Sequence, residues 1–201
     1  MSQSLELPAL DPLAAAILDF WFGAEDAQSA SEPRDVWFRK DAAFDAEIRD
    51  RFGSAIAMAL AGGYGEWCAT ADGALARVLV LDQFTRNVYR DTAAAFAGDA
   101  RALATAQDAV ARGLDRALKP FGRWFLYMPF EHAEDAAAQQ RSLALFGALA
   151  EESGLAAPLE WAQKHADVIA RFGRYPHRNA ILGRASTPEE VVFLSQPGSR
   201  F

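Results

Sequence analysis

The chain has 201 residues, 51% of them hydrophobic and 23% charged, a balance that excludes disorder, fibrous repeats and disulfide-stapled miniproteins. That length suits one core burying roughly 70% of the unfolded surface. With 27 Asp and Glu against 20 Lys and Arg the net charge is −7, which repels phosphate backbones and anionic lipid, so neither nucleic acid nor a membrane is an expected partner. Cys68 is the single cysteine, which rules out an internal disulfide or a cysteine zinc cage and fits a reducing, cytoplasmic compartment.

The apolar run 13–22 lacks a basic stretch before it and a small-residue cleavage site after it, so no export signal is expected. The expected organisation is a single domain, 1–201, with tails at 1–10 and 196–201. Asp11-Pro12 supplies an N-cap and a proline at the first helical position, Leu13, Ile17, Phe20 and Trp21 form an apolar stripe, and Gly23 stops the helix. Residues 24–31 read as loop, and Pro33 opens a further turn containing Trp37 and Phe38.

Asp41 caps a second helix in which Phe44, Ile48, Phe52, Ile56 and Leu60 recur every four residues until Gly62-Gly63. A third helix is expected from Asp72-Gly73 to about Arg90, and an Ala-rich fourth over 99–112. The aromatic run 121–130 is interrupted by Pro129, and the spacing predicts a long helix over 129–151, closing before Gly154. Pro158 opens a helix to Phe172, stopped by Gly173, and Thr187-Pro188-Glu189-Glu190 is a capping box for a last short one. Seven or eight helices with short loops and no alternating β-branched run give an all-α fold, an antiparallel helical array or bundle.

Three polar blocks occupy places where such a fold normally puts leucine. On the third helix Asp82, Gln83, Arg86, Asn87 and Arg90 fall within an arc of roughly 140°, which Leu75 and Leu79 share one and two turns earlier. A face that starts with two leucines is a packed face, so these polar groups need partners. In the second block Glu131, His132, Glu134, Asp135 and Gln139 share roughly 160°, with Phe146 and Leu149 further along the same side. If the two helix ends meet, Arg86 and Arg90 face Glu131 and Asp135. The third block, 171–184, holds Arg171, Arg174, Arg178 and Arg184 with His177 and Asn179 and no acid, a local reversal of sign in an acidic chain. Arginine forks suit carboxylate and phosphate alike.

The phrases Phe20-Trp21-Phe22, 81–90, 128–135, 171–184 and 186–194, taken in order, resemble the bacterial family designated domain of unknown function 924, over nearly the whole chain. The resemblance implies an all-α fold similar to tetratricopeptide-like superhelical arrays, although the tetratricopeptide Trp, Leu-Gly and Tyr spacing is not evident. It carries over no reaction, cofactor or catalytic residue. Where the family pattern reads Phe-Glu-His-Ser-Glu, this chain has Ala133, so a serine nucleophile is excluded there.

Two functions fit these residues. A binding protein holds an anionic small molecule or peptide through Asp82, Gln83, Arg86, Asn87, Arg90, Glu134, His165, Arg174, His177, Arg178 and Asn179. A hydrolase-type enzyme uses His132 with Glu131 or Asp135 for proton transfer, carboxylates beside the imidazole favouring its protonated form, and arginines to stabilise negative charge. Helix-dipole preferences account for Glu131, Glu134 and Arg90 equally well, but not for Gln83, Asn87 or His132. A network that only fixes helix register is the third account. Binding ranks first because no nucleophile motif, phosphate loop or dinucleotide fingerprint is present. Glu131-His132 lacks the Glu-x-x-His and His-Glu-x-x-His spacings, so neither a metal nor another cofactor is expected. Sequence leaves the oligomeric state open.

Overall fold

In a computed structural model, which describes residues 9–23 and 33–199, the chain is all-helical. The 24–31 loop and most of the N-terminal tail lie outside the described residues. Helix α1 (Pro12–Phe22) begins where the Asp11 carboxylate accepts the amide of Leu13 at 2.8 Å and ends at Gly23, whose φ of 92° a side chain would resist. A single 3₁₀ turn, Asp35–Trp37, lies between it and α2 (Ala42–Leu60), which Asp41 caps through the amides of Ala43 and Phe44. Trp37 donates its indole N–H to the Trp21 carbonyl at 2.8 Å and stands edge-on to Phe125 at 4.8 Å, fixing this turn over the core.

The third helix departs from regular geometry. It runs as α3 (Ala71–Val78), a π turn (Leu79–Phe84) and α4 (Thr85–Val88) without interruption. All six residues of the π turn are buried. Widening the turn by one residue disturbs the carbonyl ladder, and side chains repair it: Thr85 Oγ1 donates to the Leu81 carbonyl at 2.8 Å, and Arg86 Nη1 to that of Asp82 at 2.7 Å. Gly98 permits this, because a Cβ there would lie 2.0 Å from the Leu81 carbonyl oxygen.

After α5 (Asp99–Ala111) comes α6 (Pro120–His132), which is buried around nearly its whole circumference from Phe121 to Glu131 and forms the centre of the molecule. Pro129 lies inside α6 and does not open the next helix. The helix ends instead at His132, where Gln139 Nε2 donates to the carbonyls of Glu131 and Ala133, both at 2.8 Å, filling the acceptors that a helix end leaves open. Helix α7 (Ala136–Ser153) starts afresh with Asp135 as its N-cap, so the single arc expected over 129–151 is broken. Helix α8 (Ala157–Phe172) closes on Gly173, and α9 (Pro188–Leu194) carries the capping box of Thr187 and Glu190. Beyond α9, Ser199 is buried and its hydroxyl donates to the Leu194 carbonyl at 3.2 Å. No helix among the described residues is long and apolar enough to cross a membrane.

Most of the core is one apolar body around Trp21, Phe84, Phe125, Tyr127 and Phe146. A smaller one, built from Val168, Ile169 and Tyr175 with Phe172 and Phe193, sits under the C-terminal segment. Part of each polar block lies in the seam between the two, with His165 against Tyr175 and the Tyr175 hydroxyl on the Glu131 carbonyl.

Candidate functional site

Three helical segments meet at the seam. The π turn delivers Asp82 and Gln83, the C-terminus of α6 delivers Glu131 and His132, and α8 delivers His165. Asp82 is fully buried, accepts from His132 Nδ1 at 2.8 Å and Gln83 Nε2 at 2.5 Å, and forms an ion pair with Arg86 Nη1 at 3.0 Å. Burial alone would raise its pKa, but the charges of Arg86 and His132 and the hydrogen bonds from His132 and Gln83 hold it below the usual carboxylate range. Because a carboxylate only accepts, the neutral His132 ring carries its proton on Nδ1 and its lone pair on Nε2. That Nε2 lies 4.0 Å from Glu131 Oε1.

Glu131 is 2% exposed, and its Oε2 has no hydrogen-bond partner among the described residues. Burial, then the negative charge of Asp82, raise its pKa well above the ordinary value, against Arg86. His165 Nδ1 donates to the Trp161 carbonyl at 2.9 Å, which places its lone pair on Nε2. Its ring centroid is 6.0 Å from that of His132 and 5.5 Å from that of Tyr175. Burial, then the His132 charge, push its pKa down to about 3. His132 differs from the expectation that its protonated form is favoured: burial lowers its pKa, and the Asp82 charge only partly offsets this. Its side chain remains 11% exposed.

The arginines are largely spoken for. Arg86 forks onto both oxygens of Asp99 at 3.0 and 3.1 Å. Arg90 and Asn87 turn away to α2, where Asp45 accepts from Arg90 Nε at 2.5 Å and from Asn87 Nδ2 at 2.7 Å. Arg90 therefore does not face Glu131 or Asp135, and Asp135 is spent on capping α7. Arg184 forks onto Glu134 at 2.6 and 2.9 Å, and Arg174 onto Glu190 at 2.6 and 2.8 Å, with Asn179 donating to the same Glu190 at 3.2 Å. His177 lies tilted against Tyr175, 5.6 Å between centroids. Arg178 is the exception. Held between the rings of Phe96 and Tyr175, it reaches Asp99 at 3.4 Å through one nitrogen, while its buried Nε has no partner among the described residues. Burial, then the neighbouring Arg86 charge, lower its pKa.

Of the sequence candidates, Asp82, Gln83, Arg86, Glu131, His132, His165 and Arg178 converge; Asn87, Arg90, Glu134, Asp135, Arg174, His177 and Asn179 serve neighbouring contacts. Sequence reasoning missed Asp99 and Tyr175. Asp99 opens α5, where an acid looks like a dipole preference. Tyr175 donates its hydroxyl to the Glu131 carbonyl, closing the seam from the other core. The acid-free 171–184 block was the available signal, since buried arginines require acids from elsewhere in the chain.

No curated protein matches the chain. A solved structure of a protein of unknown function, ATU0120 from Agrobacterium tumefaciens, is 44% identical and superposes with a TM-score of 0.81, covering 91% of this chain and 97% of that one. A family model of bacterial proteins of unknown function, DUF924, matches residues 17–198, and the chain belongs to that family.

Proposed function

We propose that the chain is a hydrolase-type enzyme whose reactive centre is His132, oriented by Asp82 and backed by Glu131. The observation that carries this is the 2.8 Å contact of His132 Nδ1 with a fully buried carboxylate, which leaves the basic Nε2 4.0 Å from the carboxyl of Glu131, whose Oε2 has no hydrogen-bond partner among the described residues. In such a centre Nε2 takes the proton of an attacking water, Asp82 holds the ring and its tautomer, and Glu131 returns a proton to the leaving group. Arg178, which alone among arginines 86, 90, 174, 178 and 184 has no forked acid partner, supports an anionic substrate, a carboxylate or phosphate derivative. The broader anion-binding role falls to it because Arg86, Arg90, Arg174 and Arg184 are each matched by an internal acid.

A register-fixing network is favoured by those same matched pairs, but it leaves Glu131 unexplained, since a buried carboxyl oxygen without a partner costs about 1–3 kcal/mol and adds no structural contact. The test is hydrolysis of a panel of phosphate and carboxylate esters by the wild type and by His132→Gln, with circular dichroism confirming that the variant folds. Turnover lost in the variant is expected. Turnover equal in the two proteins, or none on any ester, overturns the proposal.

A further inference from the structure

We propose that Glu131, His132 and His165 hold a first-row divalent metal ion. One ligand atom from each lies within 4.8 Å of the other two, although His165 comes from a helix more than thirty positions along the chain. An ion with bonds of about 2.0–2.2 Å holds its ligand atoms about 3.0–3.4 Å apart, so the three draw in by about 1 Å on binding. Two imidazoles and one carboxylate suit zinc, iron or cobalt.

Both imidazoles are set for this role by their outer nitrogens. Asp82 accepts from His132 Nδ1 and the Trp161 carbonyl from His165 Nδ1, so each neutral ring keeps its lone pair on Nε2, and that of His132 lies 4.0 Å from Glu131 Oε1. A carboxylate or carbonyl behind a ligating histidine is the usual means by which proteins fix ring orientation and raise ligand basicity. The independent observation is the Glu131 Oε2, nine-tenths buried and more, without a hydrogen-bond partner among the described residues: a carboxyl oxygen that no internal hydrogen bond occupies. Three protein ligands leave coordination positions open, as in catalytic sites and unlike closed structural ones. The 11% exposure of His132 marks the side from which an ion and its waters enter. The fully buried Asp82 and the Arg86 fork onto Asp99 surround the ion with nearly balanced charge.

This inference rests on reading the cluster as the reactive centre: the ion, when bound, would occupy the Nε2 lone pair of His132 and the Glu131 carboxylate and would activate water in place of the imidazole. The test is titration of chelator-treated full-length protein with Zn²⁺ by calorimetry and with Co²⁺ by visible absorption. One ion per chain is expected, with affinity reduced at least about tenfold in Glu131→Gln, His165→Gln and Asp82→Asn. Cys68→Ser is expected to bind as the wild type does. X-ray absorption of the zinc-loaded wild type is expected to show two imidazoles at the ion, which keeps the test independent of whether the variants fold. No stoichiometric binding, or wild-type affinity in both Glu131→Gln and His165→Gln, overturns the site. Ester turnover that survives EDTA but not His132→Gln removes the ion and keeps the acid–base centre. Tight binding without turnover of any ester removes the hydrolase reading and keeps the ion.

Discussion

Replacing Arg86 by Met exposes how much of the fold depends on the seam. Arg86 Nη1 lies 3.0 Å from a carboxylate of zero exposure, and its other contacts are the Asp82 carbonyl and both oxygens of Asp99. At an effective dielectric constant of about 20, one such pair at that distance is worth about 5 kcal/mol, in line with the roughly 3–5 kcal/mol lost when one member of a buried pair is removed. Asp82 keeps His132 and Gln83, and Asp99 keeps Arg178, so the expected loss lies at the lower end, about 3–4 kcal/mol. For a chain of this size that lowers Tm by about 6–16 °C, readable by calorimetry or by urea unfolding followed through tryptophan fluorescence. Asp82→Asn in the Arg86→Met background is expected to recover part of the loss, with a coupling of about 2 kcal/mol. A loss below about 1 kcal/mol, or additivity of the two changes, would refute the picture of a tightly matched interior charge pair.

Glu131→Met is expected to raise stability by about 1–3 kcal/mol in the presence of EDTA, since it removes a buried, unpartnered oxygen at similar volume; an unchanged or lower Tm contradicts the account of Glu131 as a costly functional group. The C-terminal segment is expected to loosen in acid. The hydrogen bond from Arg174, opposed by burial and helped by the Thr187 amide, holds the Glu190 pKa down to about 2, so its stabilisation is complete above the unfolded value near 4.3 and is lost as pH falls from about 5 to 2. Amide exchange over 187–194 reads this, and Glu190→Gln is expected to flatten the dependence in that window; equal protection at pH 6 and pH 2.5 in the wild type argues the reverse.

The caps and stops were legible because they are local. Asp11, Asp41 and Thr187 cap as their side chains and neighbours dictate, and Gly23 and Gly173 end helices where positive φ is needed. The polar blocks were legible as buried, because leucines share their faces. Their partners were not. Asn87 and Arg90 bind Asp45 from a helix forty residues away, a pairing no periodicity encodes. The break at residues 133–135 was hidden because Pro129 is the louder signal. What ends α6 is Gln139, reaching back to two carbonyls from inside the next helix. His165 was placed among the anion-binding residues and no metal was expected, because metal spacing rules read single helices, whereas Glu131, His132 and His165 span α6 and α8.

The π turn has a consequence for how such a site is gained or lost. It is an α-helix with one residue added, and a single residue corresponds to about 100° of rotation. Because the widened turn takes up the added residue, deleting one position of 79–84 would leave a regular α-helix still able to bury Leu75 against the core, with side chains beyond the turn keeping about their present direction and those inside it redistributed. Asp82, inside the turn, or its replacement would then leave His132, while Arg86, beyond it, would stay beside Asp99. A three-nucleotide change is thus enough to assemble or dismantle the seam while the rest of the helix stays in place, and chains of this shape with and without that residue would share a fold but not a centre.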